Sequence, residues 1–287
     1  MRWEFKHPTP FIRTREFLWQ EGHTAHATRE EAVTEVFARL EDYATTYEDL
    51  LAVPVMRGIK SKKETFAGAD FTSTVELFVP TNGRGIQGAT SHLLGQHFSR
   101  KEMFNINFQN KEGKKDYAWQ TSWGFTTRSI GSMIMIHGDN KGLVLPPRVA
   151  QIQAVIVPIV TKQNTEQIMN KADELAEGLK AAGVRVKVDH REHHKPGFKY
   201  AYWELKGVPL RIELGARDME AENQCVIVAR RENGEKTKVS WTDLNDYVVK
   251  ELDQIHTDML EKARAERDGR IANADNWDDF MAELNKK

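Results

Sequence analysis

Residues 10–23 read Pro10-Phe11-Ile12-Arg13-Thr14-Arg15-Glu16-Phe17-Leu18-Trp19-Gln20-Glu21-Gly22-His23, and they follow a shorter stretch of the same character, Arg2-Trp3-Glu4-Phe5. Apolar and aromatic side chains alternate with charged ones within residues 1–5 and 10–20, which is the pattern of β-strands. The intervening Lys6-His7-Pro8-Thr9 favours a turn. The sequence therefore predicts that the chain opens with a β-hairpin.

The charged side chains of this hairpin allow two interpretations. Arg2, Glu4, Arg13, Arg15 and Glu16 could form cross-strand ion pairs on a solvated face. Alternatively, the guanidinium groups could bind an anion, because arginine binds phosphate in a bidentate geometry and a strand holds the side chain firmly. In this second interpretation Arg2 and Arg13 clamp a phosphate.

The rest of the first half combines helices with a sheet. Thr28 and Glu31 form a capping box, and apolar side chains then recur at helical spacing from Val33 to Leu51, which predicts a long helix. Residues 72–79 favour a strand. Residues 129–136 are almost wholly apolar and mixed in side-chain size, which indicates a short buried helix.

A domain boundary is expected at Leu145-Pro146-Pro147-Arg148, where two prolines interrupt both helix and sheet. Strands and helices alternate beyond it, which predicts an α/β domain with a mixed sheet covered by helices. The expected elements are strand 155–159, helix 165–182, strand 184–188, helix 198–206, strands 209–214 and 224–230, an Asn233-Gly234 turn, and helix 242–265. We expect one domain over residues 1–150, a second over 151–267, and the start of an extension over 268–287.

The composition excludes several classes of protein. With 40% hydrophobic and 29% charged residues and no long apolar run, the 287 residues are typical of a soluble chain of about two domains. The polar start favours a cytoplasmic location over secretion. Cys225, the single cysteine, can form neither an internal disulfide nor a structural zinc site by itself, and we expect it in the core. A net charge of −1 means that nucleic-acid contacts must come from a local basic patch.

Two motifs are weak candidates for ligand sites. Gly83-Arg84-Gly85-Ile86-Gln87-Gly88 matches the dinucleotide-binding pattern G-x-G-x-x-G, but no βαβ unit precedes it. His190-Arg191-Glu192-His193-His194 contains metal-capable side chains, but the following Lys195-Pro196-Gly197 marks an exposed loop, so we expect no metal there. Basic and aromatic residues surround this loop, a composition that suits unpaired bases and phosphates.

The two opening stretches strongly resemble motif 2 of prolyl-tRNA synthetase, a class II aminoacyl-tRNA synthetase. Four further stretches continue the resemblance, in the form found in archaeal and eukaryotic cytosolic enzymes. They are Lys63-Glu64-Thr65-Phe66-Ala67-Gly68, Gly85-Ile86-Gln87-Gly88-Ala89-Thr90-Ser91-His92, the motif-3-like Thr121-Ser122-Trp123-Gly124-Phe125-Thr126-Thr127-Arg128, and Trp203-Glu204-Leu205-Lys206-Gly207-Val208-Pro209. The resemblance implies an α+β catalytic core with an antiparallel sheet, followed by an α/β anticodon-binding domain with a mixed sheet.

The resemblance also implies roles for individual side chains. The ATP-binding residues would be Arg2, Glu4, Arg13, Thr14, Gln87, Thr90, Thr126 and Arg128, with Arg2 and Arg128 also catalytic. The proline pocket would be formed by Arg2, Trp19, Glu21, Phe66 and His92, where apolar walls suit the pyrrolidine ring and an acid suits its ammonium group. Glu204, Lys206 and Arg217 would contact the tRNA anticodon.

The implied activity is that of a proline–tRNA ligase, which uses ATP with Mg²⁺ to make prolyl-adenylate and transfers proline to its tRNA. The resemblance further implies a homodimer in the intact enzyme, and we expect no protein-bound zinc and no membrane partner. Motif 1 precedes motif 2 in this family and a further C-terminal domain follows, so we expect a sequence truncated at both ends that is a poor enzyme by itself. The alternative is a noncatalytic, synthetase-like module that binds tRNA or protein.

Overall fold

A computed structural model describes residues 6–286, which form two five-stranded sheets with helices packed on them. The first half contains β1 (Trp19–His26), α1 (Arg29–Thr45), a π-helical turn (Thr46–Leu50), β2 (Val55–Ile59), β3 (Phe71–Val79), β4 (Arg84–Gly95), β5 (Asn107–Gln109), β6 (Lys115–Tyr117), β7 (Trp119–Thr126) and α2 (Arg128–His137). The second half contains β8 (Ala154–Pro158), α3 (Thr165–Ala181), β9 (Val186–Val188), α4 (Pro196–Leu205), β10 (Leu210–Leu214), a 3₁₀ turn (Ala216–Met219), β11 (Cys225–Arg230), β12 (Lys236–Ser240), α5 (Leu244–Asp268) and α6 (Trp277–Leu284).

The first sheet is antiparallel, with the strand order β1-β7-β4-β3-β2. Helix α1 packs on one face of this sheet and buries Val36 against Leu93 of β4. The predicted capping box is confirmed, because Thr28 Oγ1 accepts from the Glu31 amide and the Glu31 carboxylate accepts from the Thr28 amide. The buried helix expected over residues 129–136 is confirmed as α2.

The strand predicted over residues 10–20 is wrong over most of its length. Residues 10–18 are irregular, with a tight turn closed by backbone hydrogen bonds between Thr9 and Arg13, and the strand begins only at Trp19. The Ile12 carbonyl accepts a hydrogen bond from the Arg128 side chain instead of from a neighbouring strand. The other strand of the predicted hairpin, 1–5, lies outside the described residues.

The second sheet is mixed, with the strand order β12-β11-β10-β8-β9. Strands β10, β8 and β9 are parallel, whereas β11 and β12 are antiparallel to their neighbours. Helices α3 and α5 cover one face and α4 covers the other. Cys225 is buried in β11. The predicted mixed sheet covered by helices is therefore confirmed, and most element bounds agree within about two residues.

Side chains and backbone groups join the two halves directly. Arg231 is 8% exposed and donates to both carboxylate oxygens of Asp139, at 2.8 and 2.7 Å, while its Nε donates to the Glu204 carbonyl. The Leu143 amide donates to the Leu205 carbonyl. Within the described part of the chain, none of the helices combines the length and apolar character needed to cross a membrane.

Candidate functional site

Strands β1, β7 and β4 present a row of side chains on the sheet face opposite α1. Glu21 of β1 lies opposite Gly124 of β7, which lies opposite Thr90 of β4. His23 and His92 lie two residues along their strands, and side chains alternate between the two faces of a strand, so they join the same face. Gly124 carries no side chain, and the Trp19 ring lies 3.7 Å from the position that a Cβ atom there would occupy.

A β-bulge at Gly88 changes the sheet face toward which the preceding side chain, Gln87, points. The pairing of β3 with β4 shifts by one residue here, which reverses the alternation, so Gln87 points to the same face as Thr90 instead of into the core. A Cβ atom at position 88 would lie 2.9 Å from the Tyr47 ring, so the bulge requires glycine. The G-x-G-x-x-G pattern thus ends in a strand bulge rather than a dinucleotide loop.

A cavity of about 200 Å³ lies where the 11–14 segment crosses the end of the sheet. Its lining includes six of the residues expected to bind ATP: Arg13, Thr14, Gln87, Thr90, Thr126 and Arg128. They come from three separate parts of the chain, residues 13–14, 87–90 and 126–128. The structure therefore brings together every expected nucleotide-binding residue that it describes.

Arg128, at the start of α2, ties the walls of this smaller cavity together. Its Nε donates to the Ile12 carbonyl at 3.1 Å and its Nη1 to the Gln87 carbonyl at 3.3 Å. Burial lowers the pKa of Arg128, and the nearby positive charge of Arg13 lowers it further. Two guanidinium groups that face one cavity repel each other, and an anion between them removes that repulsion. The smaller cavity is therefore suited to a phosphate-bearing ligand.

A second cavity, of about 590 Å³, adjoins the first and shares Trp19, Gln87, Thr90 and Gly124 with it. All the described residues expected to bind proline line this larger cavity: Trp19, Glu21, Phe66 and His92. The rings of Phe66 and His92 lie 5.0 Å apart, between centroids. An apolar wall thus faces a carboxylate, an arrangement that fits a small ligand with a ring and a cationic group.

His92 is held as a neutral imidazole. Burial and the positive charge of Lys60 lower its pKa to about 4. The Thr72 hydroxyl, 2.8 Å from Nδ1, accepts from the Phe66 amide, which leaves its proton free to be donated to Nδ1. With Thr72 as the donor to Nδ1, the imidazole proton lies on Nε2 and can be donated to Thr90 Oγ1, 3.1 Å away. We infer that His92 orients the Thr90 hydroxyl at the boundary of the two cavities.

Several lining residues of the larger cavity were not predicted. His23 Nε2 lies 3.1 Å from Glu21 Oε1, and its position two residues after Glu21 in a strand was a usable signal. Lys60, which follows β2, and Phe104, in the loop before β5, also line the cavity, and no pattern in the sequence links them to β1. Arg2 and Glu4, which were predicted, lie outside the described residues.

The three predicted anticodon contacts lie along the second sheet rather than in one cluster. Glu204 lies in the last turn of α4, with its Oε1 3.8 Å from Arg211 Nη1. Lys206 directly follows α4, and its Nζ lies 5.8 Å from the centroid of the Tyr202 ring. Arg217 lies in the 3₁₀ turn beyond the other end of β10, a strand about 16 Å long. Arg211, one of the basic residues noted around the histidine-containing loop but not one of the three predicted contacts, stacks its guanidinium on Tyr200 at 4.2 Å.

A buried aspartate, Asp189, pairs with the partly exposed Arg191 at the start of the loop that contains several histidines. Asp189 is 2% exposed and accepts from Arg191 Nε and Nη2, at 2.8 and 2.6 Å, and from Trp203 Nε1 at 2.8 Å. Lys199, which is 1% exposed, donates to the Asp189 carbonyl. His190 pairs with a carboxylate of α3. Among residues 6–286, no group of three or more His, Cys, Asp or Glu side chains is placed to hold a metal ion.

Two protein families match the chain. The tRNA synthetase class II core domain (G, H, P, S and T) matches residues 1–137, and the anticodon binding domain matches residues 153–251. The cytoplasmic proline–tRNA ligase of Arabidopsis thaliana is 50% identical over 288 residues, which cover 100% of this chain and 54% of that protein. The proline–tRNA ligase of Encephalitozoon cuniculi is 48% identical over 294 residues, which cover 100% of this chain and 58% of that protein.

Solved structures agree with this relationship. Prolyl-tRNA synthetase from Cryptosporidium parvum complexed with L-proline and AMP matches with a TM-score of 0.92 and 52% identity, over 99% of this chain and 60% of that one. The same enzyme complexed with halofuginone and AMPPNP matches with a TM-score of 0.94 and 53% identity, over 99% and 58%. The chain thus spans about half the length of the relatives it matches. From both family matches, the level of identity and the shared fold, we conclude that the chain belongs to the prolyl-tRNA synthetase family of class II aminoacyl-tRNA synthetases.

Proposed function

We propose that the protein containing this chain is a proline–tRNA ligase, in which the larger cavity binds proline and the smaller one binds ATP. The observation that carries this proposal is the boundary between the two cavities. Gln87 and Thr90 line both cavities, so a ligand in one cavity would lie next to a ligand in the other. The relatives bear the same activity in their names, and one solved relative holds L-proline and AMP.

The proposed chemistry has two steps and forms no bond to the protein. An oxygen of the proline carboxylate attacks the α-phosphorus of ATP, the bond from that phosphorus to the bridging oxygen breaks, and pyrophosphate leaves. A ribose hydroxyl at the end of the tRNA then attacks the carbonyl carbon of prolyl-adenylate, and AMP leaves. ATP enters as its Mg²⁺ complex. Catalysis comes from positioning and from offsetting negative charge.

Individual residues have distinct parts in this proposal. Arg13 and Arg128 offset the charge of the distal phosphates, and Thr14, Thr126 and Gln87 seat the nucleotide. Glu21 pairs with the ammonium group of proline, while Trp19 and Phe66 pack on its ring. Arg2 and Glu4 complete the site as further nucleotide ligands, with Arg2 also at the proline carboxylate.

The ligase is favoured over a noncatalytic binding module by the composition of the smaller cavity. A module that only binds tRNA or protein needs no pair of guanidinium groups facing one cavity beside Gln87 and Thr126. Partial burial and the nearby charge of Arg13 lower the pKa of Arg128, so an anion bound in this cavity would stabilise the charged form of Arg128. The test is proline-dependent exchange of pyrophosphate into ATP by the full-length protein, which a noncatalytic module would not carry out.

The same assay separates the two cavities. We expect His92→Ala to raise the KM for proline roughly tenfold, the effect of about 1.4 kcal/mol, because the Phe66–His92 wall of the larger cavity is lost. The KM for ATP should change much less. His190→Ala, which removes an exposed imidazole from the second half, is the control. A rise confined to the KM for ATP would show that the proline pocket is misassigned.

The second half is proposed to bind the anticodon of proline tRNA through Glu204, Lys206 and Arg217. A carboxylate or guanidinium that reads a base edge contributes about 1–3 kcal/mol of discrimination, whereas a lysine on phosphate weakens all tRNAs alike. Glu204→Ala should therefore reduce the preference for proline tRNA over an anticodon-swapped version by about tenfold or more. Lys206→Ala should weaken both and lower the salt dependence. Equal binding of the two tRNAs by the unaltered protein would contradict this role.

The proposal extends to the domain bounds, the oligomeric state and the cellular location of the protein. The catalytic domain is assigned to residues 1–150, the anticodon-binding domain to 151–267, and the start of a C-terminal extension to 268–287. A homodimer in the cytoplasm, with no membrane partner, follows the resemblance to cytosolic members and the cytoplasmic relative from Arabidopsis thaliana. Analytical ultracentrifugation of the full-length protein tests the dimer.

A further inference from the structure

A π-helical turn, Thr46–Leu50, continues α1 and lies directly beneath the bulge of β4. Tyr47 in this turn is fully buried, and its hydroxyl donates to the Gly88 carbonyl at 3.1 Å. Its ring fills the space that a side chain at position 88 would need. Tyr47 therefore supports the bulge through both its hydroxyl and its ring.

The bulge in turn determines the position of two groups at the smaller cavity, the Gln87 side chain and the Gln87 carbonyl. It turns Gln87 toward the cavity, and the Gln87 carbonyl accepts a hydrogen bond from Arg128. Tyr47 and Arg128 thus donate to adjacent backbone carbonyls of β4, those of Gly88 and Gln87. If the Gly88 carbonyl were released, both the Gln87 side chain and a partner of Arg128 would be less well defined.

The same π-helical turn is held from below by side chains that come from later in the chain. His256 Nε2 of α5 donates to the Glu48 carbonyl at 3.3 Å, and Arg148 Nη1 donates to the Asp49 carbonyl at 2.8 Å. His256 belongs to the second half, and Arg148 lies in the boundary segment, where its own carbonyl accepts a hydrogen bond from Arg185 of the second half at 3.2 Å. Carbonyls at the end of a helix lack intrahelical partners, so these contacts satisfy groups that would otherwise be unpaired. The turn is therefore bonded to the nucleotide cavity on one side and to the second half on the other.

We propose that Tyr47 is a positioning residue for nucleotide binding, and that the π-helical turn links it to the second half through Arg148. This inference rests on the proposed assignment of the smaller cavity to ATP. Tyr47 does not line that cavity, so it acts through Gly88 and Gln87.

The matched pair Tyr47→Phe and Tyr43→Phe tests the inference. Both residues lie under Phe125, with ring centroids 5.6 and 5.7 Å from it, and each loses only a hydroxyl. The Tyr43 hydroxyl donates to Gln20 Oε1 and does not touch the bulge. We expect Tyr47→Phe to raise the KM for ATP about three- to tenfold with an unchanged KM for proline, and Tyr43→Phe to change neither by more than about twofold.

The link to the second half is tested by a double-mutant cycle. Arg148→Ala should raise the KM for ATP severalfold in the unaltered protein but should add little in Tyr47→Phe, because both act through one element. Amide hydrogen exchange over residues 84–90 provides a readout that needs no catalysis. It should become faster in Tyr47→Phe and in Arg148→Ala, and it should stay unchanged in Tyr43→Phe.

The outcomes separate this inference from the proposed function. If the unaltered protein shows no proline-dependent exchange, the proposed function fails, while ATP affinity measured by calorimetry and amide exchange over 84–90 still decide the role of Tyr47. If the unaltered protein is active but Tyr47→Phe matches it in ATP affinity and amide exchange, the inference is wrong. Fully additive effects of Tyr47→Phe and Arg148→Ala would overturn the link to the second half.

Discussion

Arg128→Ala is expected to lower proline-dependent pyrophosphate exchange by about 10²–10³-fold, the largest effect on activity that we predict. The guanidinium does more than supply one charge. It donates to the Ile12 and Gln87 carbonyls, so its loss also frees two walls of the smaller cavity. Initial exchange rates of the full-length protein at saturating proline and ATP measure the effect.

Two further variants test whether the loss of activity in Arg128→Ala comes from the charge of Arg128 or from its hydrogen-bonding geometry, and whether it is specific to this arginine. Arg128→Lys keeps a positive charge but cannot make both backbone hydrogen bonds in the same plane, so we expect it to recover only part of the rate. Arg264→Ala removes an exposed guanidinium that pairs with Glu261 on α5, and it should leave exchange unchanged. Exchange by Arg128→Ala at the rate of the unaltered protein would refute the catalytic role.

The largest effect on stability is expected from Asp189→Ala, at about 3–5 kcal/mol of unfolding free energy. The substitution leaves Trp203 Nε1 without its acceptor and removes the carboxylate nearest to the buried Lys199. Arg191 is more exposed and can be hydrated again, which limits the loss. Chemical denaturation followed by circular dichroism measures the free energy, and amide exchange over 154–158 localises it to the second sheet.

The control for this variant is Asp173→Ala, which breaks the exposed pair with His190 and should change stability by no more than about 0.5 kcal/mol. Equal stability of Asp189→Ala and the unaltered protein would show that the buried pair contributes nothing.

The carboxylate of Asp189 should also make the stability of the protein depend on pH. Burial alone would raise the pKa of Asp189, but the hydrogen bonds from Arg191 and Trp203 outweigh burial and hold it at about 2. An unfolded aspartate has a pKa of about 3.9. The stabilisation is therefore complete above about pH 4 and is lost as the pH falls toward 2. Asp189→Asn should remove this part of the acid dependence.

The second half was predicted well because its elements are defined by neighbours in the sequence. Alternating apolar runs and helical periodicity between residues 154 and 268 gave the strands and helices of the mixed sheet. The segment 10–18 was predicted badly for the opposite reason. Its composition is that of a strand, but its Ile12 carbonyl bonds to Arg128, which lies on a distant helix.

The candidate site was identified from the sequence mainly through resemblance to a known family, because its side chains come from segments that no periodicity connects. Alternation along β1 could place Glu21 and His23 on one face, and alternation along β4 could place Thr90 and His92 together. It could not place Gln87, because strict alternation would send that side chain into the core. Only the shifted pairing at Gly88 turns it toward the cavity.

The sequence by itself determined the local features of this protein: the capping box of α1, the buried α2, the alternating elements of the second half and the residue types of a class II synthetase site. These depend on interactions between residues a few positions apart, or on patterns that a family shares. The tertiary structure alone decided that Arg13 and Arg128 face one cavity, that His92 stays neutral, and that Tyr47 supports the bulge from beneath. Each of these depends on burial and on contacts between distant segments, and the sequence contains neither until the chain has folded.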